Sequence, residues 1–203
     1  MKLTADQRRA LVAHLCSRFA AVVRAKSAAE MVFVAQVFGV ASLFARVPSA
    51  SDFLTRWWTT LGPLIYAPAD SAAAPEDHLR VLFHELGHVV AFWRNPFDLV
   101  HWYLTARGRA ELEAEAERGA LEGWWVLTGT IPADLAGVDV LRHGYALDDG
   151  PGEHDDHADL ARDLLEQAAT SVRAGVLSTD VGREVATWVR QHAPGALVGT
   201  VIL

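Results

Sequence analysis

The run Leu79-Arg80-Val81-Leu82-Phe83-His84-Glu85-Leu86-Gly87-His88-Val89-Val90 organises the reading of everything around it. Two histidines four apart on a helix lie about 40° apart around its axis, with side-chain origins roughly 6 Å apart, so both imidazoles reach one zinc ion. Glu85 then sits beside the metal without having to ligate it. Its task in such a site is to take a proton from a water whose acidity the metal raises and to pass that proton to a leaving amine. Nine histidines and eleven glutamates in 203 residues predict about 0.02 chance occurrences of His-Glu-x-x-His, so the string is specific. The bland alternative is a surface helix with two idle histidines. It conflicts with the apolar flanks Val81-Leu82-Phe83, Leu86 and Val89-Val90, because an unpartnered His-Glu-His group on a packed helix would be costly.

Working outward, the motif helix is predicted from about Glu76 to Arg94, opened by Pro75 and stopped by Asn95-Pro96. Upstream, Leu64-Ile65-Tyr66 is the one convincing short strand, and the small residues from Ala67 to Pro75 predict a loop. Before that, Ser51-Asp52 caps a short helix through Trp57-Trp58 that Gly62-Pro63 ends, and an apolar helix covers roughly Ala29 to Phe44, closed by Val47-Pro48. Thr4 and Gln7 form a capping box for a first helix whose apolar positions are Leu11, Val12, Leu15, Phe19, Val22 and Val23. Downstream, Phe97 to Leu104 predicts a short aromatic helix, and Arg107-Gly108 turns into a long helix bearing Glu111, Glu113, Glu115 and Glu117. After Gly129 come a helix from Pro132 to His143 closed by Gly144, a polar loop, and helices near Asp156 to Ala174 and Thr179 to His192. The architecture is mainly α, with at most a small sheet around Leu64-Tyr66.

Catalytic zinc takes three protein ligands and a water, so a third ligand must come from elsewhere, and the glutamate-rich helix is the obvious source. At about 100° per residue, Leu112, Ala116, Ala120, Gly123 and Leu127 define its buried face. Glu113 and Glu117 flank that face, whereas Glu111 and Glu115 point roughly 100° or more from its centre. Glu113 is the better ligand candidate and Glu115 the alternative. Glu117, one turn on, suits an acceptor for the free ring nitrogen of a ligating histidine.

His84-Glu85-Leu86-Gly87-His88 followed by Glu113-Ala114-Glu115-Ala116-Glu117-Arg118-Gly119-Ala120 resembles the ImmA/IrrE-type branch of the glutamate-zincins, whose second motif runs Glu-x-x-Ala-Asn/Asp-x-Phe-Ala. The likeness spans roughly Leu64 to Leu127, with Glu117 where the family has Asn or Asp and Gly119 where it has Phe. It implies that His84, His88 and Glu113 bind zinc, that Glu85 is the catalytic base, and that the fold is a zincin-like helical core. The expected organisation is a single domain over 1–203, with that core at about 60–130 and helical parts at 1–60 and 131–203 packed on it. No helix-turn-helix region is evident, so the repressor-cleaving role of some relatives does not transfer.

Composition bounds the rest. Half the residues are hydrophobic and 21% charged, which marks a globular chain long enough to bury a core without staples. A formal charge of −7 disfavours a nucleic-acid partner. Cys16 is the only cysteine, which excludes an internal disulfide and fits an intracellular, cytoplasmic setting; the N-terminus lacks a signal-peptide layout. The apolar run Met31 to Ala45 lies between Glu30 and Arg46 and is shorter than the roughly 18–20 residues a membrane span needs, so stable membrane insertion is not expected.

Oxyanion donors are available in His101, Tyr103, His143 and Tyr145, but spacing selects none of them. His154 and His157 with Asp155, Asp156 and Asp159 read as an acidic helix start, and the pairs Trp57-Trp58 and Trp124-Trp125 as packing residues. The expected function is that of a zinc metallopeptidase acting on a peptide or protein substrate. The competing expectation is a catalytically inactive zincin-like binding or regulatory protein that keeps the zinc site; an oligomeric state is not readable.

Overall fold

Thr4 opens helix α1 (Ala5–Arg18) through a reciprocal cap in which its hydroxyl accepts from the Gln7 N–H and the Gln7 side chain accepts from the Thr4 N–H. In this computed structural model, residues 2–27, 31, 54, 55, 57–97, 105–132 and 154–198 are described. Leu11, Val12 and Leu15 are buried, as their spacing predicts. The helix does not continue to Val22 and Val23. It ends at Arg18, Ala20 turns the chain at φ 51°, and Val22–Ala25 forms strand β1. Two adjacent β-branched valines gain more from a pleated neighbour than from a helix end.

That neighbour is β3 (Leu64–Ala67), with which β1 pairs in parallel; β2 (Thr59–Leu61) pairs with β3 antiparallel, giving the order β1-β3-β2. The strand expected at Leu64-Tyr66 is thus the centre of a small open mixed sheet. The segment after Trp57-Trp58 corrects the expected helix, because Thr59–Leu61 is a strand. Gly62 at φ +61° and Pro63 form a two-residue loop between the paired Leu61 and Leu64, and a positive φ at the first loop position is what such a hairpin requires.

The expected loop from Ala67 to Pro75 instead holds a short helix α2 (Ala69–Ala73), consistent with the helix propensity of alanine, and a 3-10 turn (Pro75–Asp77). The motif helix α3 therefore starts at Leu79, not Glu76, and runs to Arg94, where Asn95 caps it. It buries Leu79, Leu82, Phe83, Leu86 and Val89.

Helix α4 (Ala106–Thr128) begins one residue before the predicted Arg107-Gly108 turn: Thr105 caps it by accepting from the Gly108 N–H. Gly129 closes it in the left-handed conformation at φ 66°. Helices α5 (His154–Arg173) and α6 (Asp180–His192) lie close to their predicted bounds, with Thr179 as the N-cap of α6.

The core joins α1, β3, α3, α4 and α6 through Leu11, Leu15, Ile65, Leu82, Phe83, Leu86, Ala120, Leu127, Val185 and Val189. A smaller cluster of Leu121, Ala168 and Val172 packs α4 on α5. Glu122, fully buried on α4, accepts from the N–H and hydroxyl of both Ser178 and Thr179 at 2.6–2.9 Å, which ties α4 to the start of α6.

The described part is mainly helical, as a mainly-α zincin-like fold requires, and none of its helices is long and apolar enough to cross a membrane. The helices expected at Ala29–Phe44, Phe97–Leu104 and Pro132–His143, the loop from Asp148 and the apolar run Met31–Ala45 lie wholly or mostly outside the described residues.

Candidate metal centre

The site grows from the crossing of α3 and α4. Gly87 of the motif lies against Ala116, and this contact brings the Glu113 side of α4 over the two histidines. His84, Glu85, His88 and Glu113 are all buried; Glu113 keeps 3% of its surface exposed.

His84 Nε2 lies 3.0 Å from Glu113 Oε2, His88 Nε2 lies 3.3 Å from the same oxygen, and the two Nε2 atoms are 3.1 Å apart. The three atoms form a nearly equilateral triangle. A tetrahedral zinc ion with bonds of about 2.0–2.1 Å holds its ligand atoms about 3.3–3.4 Å apart, so the triangle needs to open only by tenths of an ångström. Two imidazole nitrogens and a carboxylate oxygen are also the donor types such an ion takes. His84, His88 and Glu113 thus make a group capable of coordinating a metal ion, in the His-Glu-x-x-His plus glutamate arrangement of zincins.

The glutamates of α4 separate by partner. Glu117 Oε2 lies 3.1 Å from His84 Nδ1, and its other oxygen accepts from Arg80 at 2.5 Å. Glu111 turns to Arg107 at 2.9 Å and Glu115 to Arg94 at 3.6 Å, away from the histidines. His88 Nδ1 is buried and has no hydrogen-bond partner among the described residues.

Electrostatics knit the centre together. Burial alone would lower the pKa of His84, but Glu113 and Glu117 beside it, with Glu85 nearby, hold it well above 6.5. Burial opposes ionisation of Glu113 as well, yet His88 and His84 pull it down to about 2. Glu117 is lowered against its own burial by His84 and Arg80. The paired shifts of His84 and Glu113 mark a place where positive charge is favoured, between the three donor atoms.

Glu85 stands outside the donor triangle. Its Oε2 accepts from the Thr60 hydroxyl at 2.6 Å, and Oε1 accepts no hydrogen bond among the described residues. Lys26, buried at the end of β1, feels the charge of Glu85; burial pushes its pKa down to about 8, and Glu85 opposes that fall.

Of the other candidates, His101, Tyr103, His143 and Tyr145 and the side chains of His154 and His157 lie outside the described residues. His78 sits at the start of α3 with its ring 6.0 Å from Trp58. Sequence reasoning missed Arg80, Thr60, Lys26 and Glu122. Arg80 was findable, since it precedes His84 by four residues and so shares its helix face. Thr60 was findable only by reading Thr-Thr-Leu-Gly-Pro-Leu-Ile-Tyr as a hairpin.

In comparisons with protein-family models, curated proteins and solved structures, nothing matches this chain.

Proposed function

We propose that the protein is a zinc-dependent metallopeptidase in which His84, His88 and Glu113 hold the ion and Glu85 is the general base. The observation that carries this reading is a donor triangle closed by two histidines and Glu113 while a second buried carboxylate, Glu85, stays beside it and outside it. A structural zinc site has four protein ligands and no use for such a group, whereas a hydrolytic one needs three ligands and a base.

Zinc, when bound, supplies Lewis acidity that polarises a peptide carbonyl and brings the pKa of a water towards neutrality. The chain's own residues do the rest. Glu117 opposite His84 Nδ1 favours the tautomer that protonates Nδ1 and leaves Nε2 free to ligate. Glu85 takes the proton of the attacking water and delivers it to the departing amine. The likeness of the two motifs to ImmA/IrrE-type glutamate-zincins supports the same assignment, with peptides or proteins as substrates. The proposal extends to a single domain over 1–203 working in the cytoplasm.

The test is metal content after purification without chelators, for the wild type and for His84→Ala, His88→Ala, Glu113→Ala, Glu115→Ala and Glu85→Gln. One zinc per chain is expected in the wild type, Glu115→Ala and Glu85→Gln, with loss in the other three. A wild type that takes up no zinc sinks the reading. Hydrolysis of casein or a quenched peptide library by the wild type but not by Glu85→Gln separates a peptidase from a zinc-holding binding or regulatory protein.

A further inference from the structure

We propose that Thr60 is a positioning residue that holds Glu85 in the one orientation its role as base requires; this rests on the reading of the metal centre given above. Thr60 is the middle residue of β2, and the hairpin register sets it opposite Ile65, which is fully buried. The strand's alternation turns Thr60 towards α3, while Leu61, half exposed, points the other way. Its hydroxyl donates to Glu85 Oε2 at 2.6 Å and lies 3.5 Å from the Glu85 carbonyl, at the limit of a hydrogen bond.

A carboxylate has two equivalent oxygens and turns readily about its last bond. The Thr60 hydroxyl removes that equivalence. With Oε2 occupied by a donor, Oε1 becomes the oxygen that accepts the water's proton, and rotation would break a buried charge-assisted hydrogen bond. The sheet thus acts on the chemistry through a single side chain, and a one-residue slip of β2 would carry that hydroxyl to the opposite face.

The probe is acetohydroxamic acid, which chelates zinc through its two oxygens after giving its hydroxyl proton to the neighbouring base, so its affinity reads the placement of Glu85 without a known substrate. Titration calorimetry on zinc-loaded protein compares the wild type, Thr60→Val, Thr60→Ser, Glu85→Ala and the Thr60→Val/Glu85→Ala double variant. Thr60→Val is expected to keep one zinc and bind the probe about tenfold more weakly, the effect of one hydrogen bond to a charged group. Thr60→Ser restores binding to within about twofold, because it returns the same donor. In the Glu85→Ala background, Thr60→Val costs nothing further, since no carboxylate is left to orient.

Wild-type affinity in zinc-loaded Thr60→Val overturns the proposal, as does an equal loss with and without Glu85, which would mark Thr60 as a packing residue. Should Thr60→Val not fold, Thr60→Ala removes the same hydroxyl and reads the same outcomes. A wild type without zinc would count against the metal centre itself, a result distinct from zinc bound and Thr60 without effect.

Discussion

Gly87 lies so close to Ala116 that a Cβ on the glycine would stand 2.7 Å from the Ala116 Cα. The neighbour is backbone, which cannot swing aside. The glycine of the His-Glu-x-x-His string therefore sets the separation of α3 and α4, and that separation decides whether Glu113 reaches the histidines.

Gly87→Ala tests this directly. In an open helix the change would gain up to about 1 kcal/mol from propensity, but forcing the helices apart costs about 1–3 kcal/mol. A lower melting temperature and weakened zinc binding are expected together. A melting temperature at or above wild type with full zinc affinity would show that Gly87 does not set the separation of α3 and α4.

Glu117 holds His84 from behind and is itself held by Arg80. Glu117→Ala leaves the three donor atoms in place and removes the acceptor of the ring N–H. Zinc affinity, measured by competition with a chromophoric chelator, is expected to fall about 10- to 100-fold. Arg80→Ala should act in the same direction and more weakly.

Glu122 accepts four hydrogen bonds from Ser178 and Thr179 in a fully buried setting. Glu122→Ala strands those donors, and leaving even one buried polar group unsatisfied costs about 1–3 kcal/mol. Denaturant unfolding should show a loss of about 3 kcal/mol or more, with zinc affinity of the folded fraction unchanged. Equal loss of zinc affinity would tie the start of α6 to the metal centre.

Lys26 provides a pH signature. Its pKa is held down to about 8 by burial, against an ordinary 10.5, with Glu85 opposing the fall. Between those values the unfolded chain carries a proton that the folded one does not, so the contribution of Lys26 to stability rises as pH rises from about 8 to 10.5. Thermal melts over that range should show a rise in the wild type relative to Lys26→Met. Parallel curves for the two proteins would place the ammonium in water.

Much of the helical frame was legible because its signals are local. Thr4, Thr179 and Gly129 mark helix ends by bonding their own neighbours, and Asn95-Pro96 stops α3 through the geometry of the chain itself. Angular spacing along α4 was also enough to set Glu113 and Glu117 apart from Glu111 and Glu115.

The strands were hidden for the opposite reason. Val22 and Val23 continue the helical spacing of α1, and Thr59–Leu61 is too short to show alternation, so both became strands only by pairing with β3. Amino-acid order alone determined where His84, Glu85 and His88 stand on one helix face, because a helix converts spacing into angle. Tertiary structure alone decided how closely Ala116 comes to Gly87 and that Thr60 meets Glu85 across 25 residues of chain. Distances between elements depend on side-chain volume and strand register, and neither is written in the spacing of a single helix.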